Sequence, residues 1–220
     1  MMMVRGEQGT NYYRLLYPTI SLVCIFIVVC SGCLSVTGAY VPDIVLTDGW
    51  YENTSLRNNV AQFLGLEHIL SVTYEVPGDY PGSLTVMTLK SLVLLDEDEL
   101  KEKTQETIAA TLKEDIELNW TARLSGERYL QNGHKSLFSV YDGVDTSLTP
   151  SEEVSVIGEV WNCPVAGTSV ICIGVAYRTH TTTSGVNRDT VSWEKIVTDP
   201  MGSIDHLVDT AGLIDNVLCH

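Results

Sequence analysis

The sequence predicts an α+β domain that follows an N-terminal membrane-targeting segment. Three observations carry this prediction. Apolar and polar residues alternate at 69–77, 83–95 and 117–124, and further strand-like runs extend to residue 179, which indicates an antiparallel β-sheet of about six to seven strands. The spacing becomes helical after residue 96, so we expect helices packed on the faces of that sheet. An uncharged apolar run precedes both patterns, at residues 20–34.

The apolar run reads ISLVCIFIVVCSGCL. At about 15 residues it is shorter than the ~20 residues of a membrane-spanning helix, and it matches the apolar region of a signal peptide. Arg5 and Arg14 precede it and the next charged residue is Asp43, so the charge bias places the following domain outside the cytoplasm. We divide the chain into a signal peptide or membrane anchor (1–33), a tether (34–43) and a single extracytoplasmic domain (44–220).

Two cysteines, Cys30 and Cys33, stand three residues apart where the run ends. A zinc site would need a second ligand pair nearby, and a redox CxxC should open a helix after a strand. The stretch CSGCLS instead resembles the lipobox of bacterial and archaeal lipoproteins, although Cys30 stands where Leu or Val is usual. The resemblance implies cleavage after Gly32 and lipid attachment at Cys33. The alternative is an uncleaved anchor extended back to Leu15. Both place the domain on the outer side of the cell membrane.

The first part of the domain is predicted as strands. Residues 44–56 are β-like with a turn at Asp48-Gly49. Residues 69–77 and 83–95 alternate on either side of a Gly/Pro-rich turn, which predicts a hairpin.

The period then changes to that of a helix. Four acids from Asp96 to Glu99 suit the positive end of a helix dipole, and apolar residues recur at helical spacing, which predicts a helix over 97–115. Strands are predicted after it at 117–124, 134–141, 153–163 and 169–179. The last is nearly continuous in apolar residues, so we expect it to be central and covered on both faces. A second helix at about 190–204 and a short helix or edge strand at 207–218 complete the chain.

This order of elements resembles the PsbP-like fold. In that family, initial strands near a Gly-Trp precede a helix, a long meander and a C-terminal helix. Here the Gly-Trp is Gly49-Trp50 and the meander runs over residues 118–179. The resemblance implies a noncatalytic binding or assembly role and supplies no catalytic residues. The chain also resembles the acidic lipoproteins of methanogenic archaea.

The charge balance argues against a nucleic-acid partner. The chain carries 28 acids and 13 bases, a net charge of −15. Phosphate backbones repel such a surface. The acids are scattered, which indicates a soluble surface more than a binding patch.

Three cysteines follow the N-terminal segment: Cys163, Cys172 and Cys219. Disulfides are permitted outside the cytoplasm. Cys163 and Cys172 flank the turn between the two longest strands, and a four-residue loop at 166–169 would place them opposite one another. A two-residue loop would place Cys163 opposite Val170 instead, and Cys219 could reach either partner. We predict Cys163–Cys172 as the disulfide, with buried free thiols as the alternative.

No motif in the sequence supports a metal, a cofactor or a catalytic residue. The five histidines lack metal-ligand spacing, and Asp142-Gly143-Val144-Asp145 lacks the remaining ligands of a calcium loop. No serine lies in a G-x-S-x-G motif. Asn53 and Asn119 begin N-glycosylation sequons, and Asn119 is expected to face solvent.

Glycines inside the predicted strands give the one indication of a pocket. Gly158 and Gly174 are interpreted as positions of close approach or of a β-bulge, and they leave room for a groove beside Trp161 and Tyr177, with His134 at a strand end. We predict a membrane-tethered extracytoplasmic domain that binds or assembles with an unknown protein or small ligand. The alternatives are a small-ligand carrier or enzyme that uses this groove, and a purely structural envelope component.

Overall fold

The described residues of the domain form a nine-stranded antiparallel sheet with a helix on one face. The computed structural model describes residues 38–62, 67–77, 81–91, 94–178, 196 and 212–219. The strands are β1 (Tyr51–Glu52), β2 (Asn58–Gln62), β3 (Glu67–Val76), β4 (Gly82–Lys90), β5 (Ile116–Leu118), β6 (Leu124–Tyr129), β7 (Lys135–Asp145), β8 (Glu152–Cys163) and β9 (Thr168–Arg178). The helix α1 spans Glu97–Thr111, and short 3-10 turns cover Asp43–Val45, Thr54–Leu56 and Ile214–Asn216.

The strand order is β1-β3-β4-β9-β8-β7-β5, with β2 beside β3 and β6 beside β7. The last strand therefore inserts between β4 and β8 and lies at the centre of the sheet. Ile171 and Cys172 point to opposite faces of β9 and both are fully buried. The predicted central, doubly covered strand is confirmed.

Helix α1 begins where the acids predicted it to begin. The Asp96 carboxylate accepts hydrogen bonds from the backbone N–H of Asp98 and Glu99, and Glu99 accepts one from the N–H of Asp96. This capping box fixes the first turn. The helix ends at Thr111, four residues earlier than predicted, and packs Leu100 and Ile108 against the sheet.

The crossing of α1 over β8 requires a glycine. A Cβ atom built on Gly158 would lie 2.6 Å from Cγ2 of Thr104 and 2.8 Å from Cδ1 of Ile108. On the other face, a Cβ on Gly174 would lie 2.5 Å from Cγ2 of Ile196. The close approach predicted at both glycines is confirmed. Gly158 also lines a depression beside α1, whereas Gly174 faces Ile196 on the other side of the sheet.

The face opposite α1 is covered by two segments, residues 38–50 and 212–219. Residues 212–219 are named here the C-terminal strap. Val41, Leu213 and Ile214 are buried against the sheet, and Tyr40 pairs with Leu218 of the strap through backbone hydrogen bonds. Residues 38–43, which we expected in the tether, therefore pack on the domain.

The predicted strand at 117–124 is confirmed at its two ends and interrupted between them. The chain forms the short strand β5, leaves the sheet edge and re-enters it as β6. Backbone N–H groups of Asn119 and Arg123 still bond to carbonyls of β7. Between them Trp120 stays 49 % exposed, with its ring edge-on to Tyr141 at a centroid distance of 5.7 Å. This break and the unpredicted strand β2 raise the count from six or seven strands to nine among the described residues.

Several predictions fall outside the described residues. These are the signal peptide or anchor at 1–33 with Cys33, and the second helix near 190–204 except Ile196, which is helical and buried. No helix among the described residues is long and apolar enough to cross a bilayer.

Candidate binding groove

A groove of about 810 Å³ runs between α1 and the uncovered part of the sheet. The helix lies over β8, so the same face of β3 and β4 is left open. We call this the α1 groove. Its floor is formed mainly by Ile69, Ser71, Thr73, Thr85, Met87 and Val175. A smaller depression of about 380 Å³, lined by Gln105, Gly126 and Ser139, lies along α1 as well.

The centre of the floor carries a pair of hydroxyl groups. Thr73 and Thr85 are register partners in β3 and β4, and their Oγ1 atoms lie 3.1 Å apart. Two hydroxyls offer two donors and four acceptor lone pairs, and their mutual bond uses one of each. The pair therefore keeps hydrogen-bonding capacity for a ligand. Apolar groups of Ile69 and Met87 flank it along the floor.

One wall of the α1 groove is helical and polar. Lys103 and Glu106 form an exposed ion pair with Nζ and Oε2 3.2 Å apart, so their charges largely balance at the rim. Thr107 turns its hydroxyl back to the carbonyl of Lys103. Two half-exposed apolar side chains, Tyr51 and Leu56, line the groove from the N-terminal part of the domain. The groove thus combines a floor of apolar and hydroxyl side chains with balanced polar edges.

Tyr177 lines the groove and is anchored by a buried carboxylate. Its hydroxyl donates to Oδ2 of Asp145 at 2.8 Å, while Ser147 donates to Oδ1 through both its N–H and its hydroxyl. The hydrogen bond from the Ser147 hydroxyl, supported by that from Tyr177, lowers the pKa of Asp145 although burial opposes the shift. Burial and the adjacent Asp145 raise the pKa of Tyr177. Tyr177 is therefore a neutral donor at neutral pH.

Asp145→Asn is expected to destabilise the domain at neutral pH by about 1–3 kcal/mol, the worth of hydrogen bonds to a buried charge. The folded-state pKa of Asp145 lies below the unfolded value of 3.8. Its contribution is therefore present above pH 3.8 and is lost as the pH falls through the lower folded-state pKa. Urea unfolding of both proteins over a pH series should give a difference that shrinks below pH 3.8. A difference that stays constant into acid would contradict the prediction.

The predicted groove beside Trp161 and Tyr177 is wrong. Trp161 pairs with Val170 and Val154 pairs with Tyr177, so odd-numbered residues of β8 share a face with even-numbered residues of β9. Trp161 is buried on the strap side, where its Nε1 donates to Sγ of Cys219 at 3.4 Å. His134 lies in the turn before β7, near Cys163 and Cys219. Of the three predicted residues, the α1 groove includes Tyr177.

The threonine pair was missed although the sequence held a signal for it. The sequence predicted the hairpin around the turn at 78–82 but not its register, and it is the register that places Thr73 opposite Thr85. Polar residues at alternate positions of a strand normally face solvent, so the pattern alone does not indicate a site. Only the position of α1 turns this polar row into the floor of a groove.

The predicted disulfide is also wrong. Cys163 is bonded to Cys219, and Cys172 is a buried free thiol. The turn at 164–167 places Cys163 opposite Thr168 and Cys172 opposite Glu159. The two cysteines share a face but lie at different points along the strands. The strap carries Cys219 to Cys163.

The two sequons differ in their surroundings. Asn119 is exposed, as predicted, and its Oδ1 accepts from the N–H of Thr121. Asn53 is half-buried, and its Nδ2 donates to Glu75 at 2.9 Å. Glycosylation at either residue stays a prediction.

No family model, curated protein or solved structure matches this chain. The resemblances to the PsbP-like fold and to archaeal lipoproteins therefore stay predictions. The function has to be argued from the α1 groove and the chemistry of its lining.

Proposed function

We propose that this chain is an exported, membrane-tethered binding domain that takes a small amphipathic ligand in the α1 groove. The observation that carries the proposal is the groove itself. Its volume of about 810 Å³ falls within the ~300–1,000 Å³ of small-molecule sites. Such sites combine an apolar lining with a few polar groups that fix orientation. Thr73, Thr85 and Tyr177 are among the polar residues that line the groove and suit that role.

The lining favours an uncharged ligand with an apolar body. Ile69, Met87 and Val175 offer apolar contact along the floor. The Thr73–Thr85 pair suits a hydroxyl, ether or amide group placed at the centre. Residues 34–220 carry 27 acids and 11 bases, so long-range repulsion disfavours an anion.

Two observations support a location outside the cytoplasm. The uncharged run at 20–34 with the lipobox-like CSGCLS supports export and attachment through Cys33 or an uncleaved helix. The disulfide Cys163–Cys219 is of the kind that persists in oxidising compartments. A PsbP-like, noncatalytic binding role is consistent with both.

Nile red, a neutral amphipathic dye, is a suitable probe of the α1 groove. The dye-binding experiment uses residues 38–220, which form a compact unit, so that the apolar N-terminal segment does not require detergent. Dye fluorescence should rise on binding. Thr85→Trp places an indole over the floor and should weaken binding about tenfold or more.

The matched control is Val165→Trp, which adds an indole on an exposed turn. Circular dichroism checks that both variants fold. Equal dye affinity in the wild type and Thr85→Trp would refute the groove as the ligand site. Equal weakening in both variants would show that the dye reports a nonspecific surface.

A further inference from the structure

His134, Cys163 and Cys219 meet on the strap side of the sheet, opposite the α1 groove. One imidazole nitrogen and the two sulfur atoms all lie within 4.8 Å of one another. His134 comes from the turn before β7, Cys163 ends β8, and Cys219 lies in the strap. Three separate parts of the chain thus supply ligand types that thiophilic metals prefer.

We propose that these three residues form a redox-gated zinc site. With the disulfide intact, the sulfur atoms are bonded to each other and the site is closed to metal. A dithiol reductant supplies two electrons, is itself oxidised to a disulfide, and leaves Cys163 and Cys219 as thiols. Zn²⁺ then displaces the two thiol protons and binds two thiolates and the neutral imidazole of His134. Water takes the fourth position.

The three residues are held together by contacts other than the disulfide. Asn132, in the turn that carries His134, donates from Nδ2 to the carbonyl of Val217 in the strap at 3.0 Å. Asp215 of the strap forms an ion pair with Arg128 of β6. Leu213 and Val217 are fully buried. Reduction therefore frees the sulfur atoms while the strap keeps its place.

The charge balance suits a site that is partly buried. Two thiolates and one Zn²⁺ sum to zero, so Cys163, which is fully buried, need not hold a net charge in the core. The indole N–H of Trp161 already points at Sγ of Cys219, at 3.4 Å, and would stabilise a thiolate there. The backbone N–H of His134 donates to Oδ1 of Asn132, which fixes the turn.

Sequence spacing could not find this site. Cys163 and Cys219 are 56 residues apart and His134 belongs to a third element. The sequence therefore predicted no metal site. The site does not touch the α1 groove, so the zinc proposal is independent of the proposed ligand function.

Cobalt titration of the full chain in detergent tests the proposal. Cys24, Cys30 and Cys33 are first replaced by serine to remove the other metal-binding thiols of the N-terminal segment. The reduced protein should bind one Co²⁺ with thiolate charge-transfer absorption, and Zn²⁺ should displace it. The oxidised protein should show no such absorption. His134→Ala should weaken binding by about 100-fold.

Two variants serve as matched controls. Cys172→Ser removes a thiol and His68→Ala removes an imidazole elsewhere in the domain, and both should bind Co²⁺ as the parent does. Loss of the thiolate absorption in Cys172→Ser, or equal affinity in His134→Ala and the parent, would overturn the proposal. So would a reduced protein that keeps its circular dichroism but shows no thiolate absorption.

Thermal unfolding covers the case in which reduction destabilises the domain. Zn²⁺ should then raise the Tm of the reduced parent, because it binds the folded state, and should raise that of His134→Ala far less. An equal rise in both proteins, or no rise in either, would contradict the site.

Discussion

Replacing Arg128 with methionine is expected to destabilise the domain by about 3–5 kcal/mol, the cost of leaving a buried charge without its partner. The Arg128 guanidinium contacts both carboxylate oxygens of Glu159, at 2.8 and 2.7 Å, and Asp215 at 3.2 Å. Glu159 is 0 % exposed and also accepts from Ser136. Burial alone lowers the pKa of Arg128, but its bonds to Glu159 and the charge of Asp215 outweigh this and leave the pKa raised.

Urea unfolding followed by circular dichroism measures the loss. The matched control is Arg123→Met. Arg123 forms an ion pair of similar length with Asp142, 3.0 Å from Nε to Oδ1, but these two side chains are 45 % and 41 % exposed. That change should cost at most about 1 kcal/mol. A triple variant, Arg128→Met with Glu159→Gln and Asp215→Asn, should recover part of the loss because no uncompensated charge remains. Equal costs for Arg128→Met and Arg123→Met would contradict the burial argument.

Loss of the disulfide is the second large effect that we expect. Cys219→Ser should lower the free energy of unfolding by about 4 kcal/mol, because the bond closes a loop with a sequence separation of 56 residues in the unfolded chain. The measurement is urea unfolding with a chelator present, so that no metal replaces the cross-link. A reductant should lower the midpoint of the wild type by a similar amount.

Sensitivity to the reductant identifies the bonded pair. The reductant should not change the unfolding midpoint of Cys219→Ser, since this variant has no disulfide to reduce. Cys172→Ala should keep the full sensitivity, because Cys172 is a free thiol. If Cys172→Ala abolished the response instead, the bond would join Cys172 and the assignment to Cys219 would be wrong.

The two effects share a cause in the strap. Asp215 and Cys219 both belong to residues 212–219, and they attach the chain end to β6 and β8. Apolar burial of Ile214 adds to these attachments. Strap removal should therefore be more damaging than loss of an ordinary chain terminus.

Features that depend on neighbouring residues were predictable from the sequence. The hairpin of β3 and β4 followed from alternation around a dense turn signal. The start of α1 followed from the acids at 96–99, which form its capping box. The central position of β9 followed from its unbroken apolar run. Trp120 shows the limit of such patterns, because a regular alternation at 117–124 did not prevent the chain from leaving the sheet there.

Features that depend on distant partners were not predictable from the sequence. The sequence predicted that Trp161 and Tyr177 lie near one another, but strand register places them on opposite faces. Alternation requires only that successive side chains change face, and a shift of one residue exchanges the faces of a whole strand. The pairing of Cys163 with Cys219 likewise depends on the path of the strap over the sheet.

The sequence by itself determined the type of most elements and the start of α1. It also predicted a lipid-bearing or membrane-bound N-terminus. Each of these rests on a local pattern of charge or hydrophobicity. Tertiary structure alone decided where those elements meet. The α1 groove exists because the helix covers β8 and leaves β3 and β4 open. The cluster of His134, Cys163 and Cys219 exists because the strap returns to the sheet. Both depend on contacts between residues far apart in the chain, which no local pattern encodes.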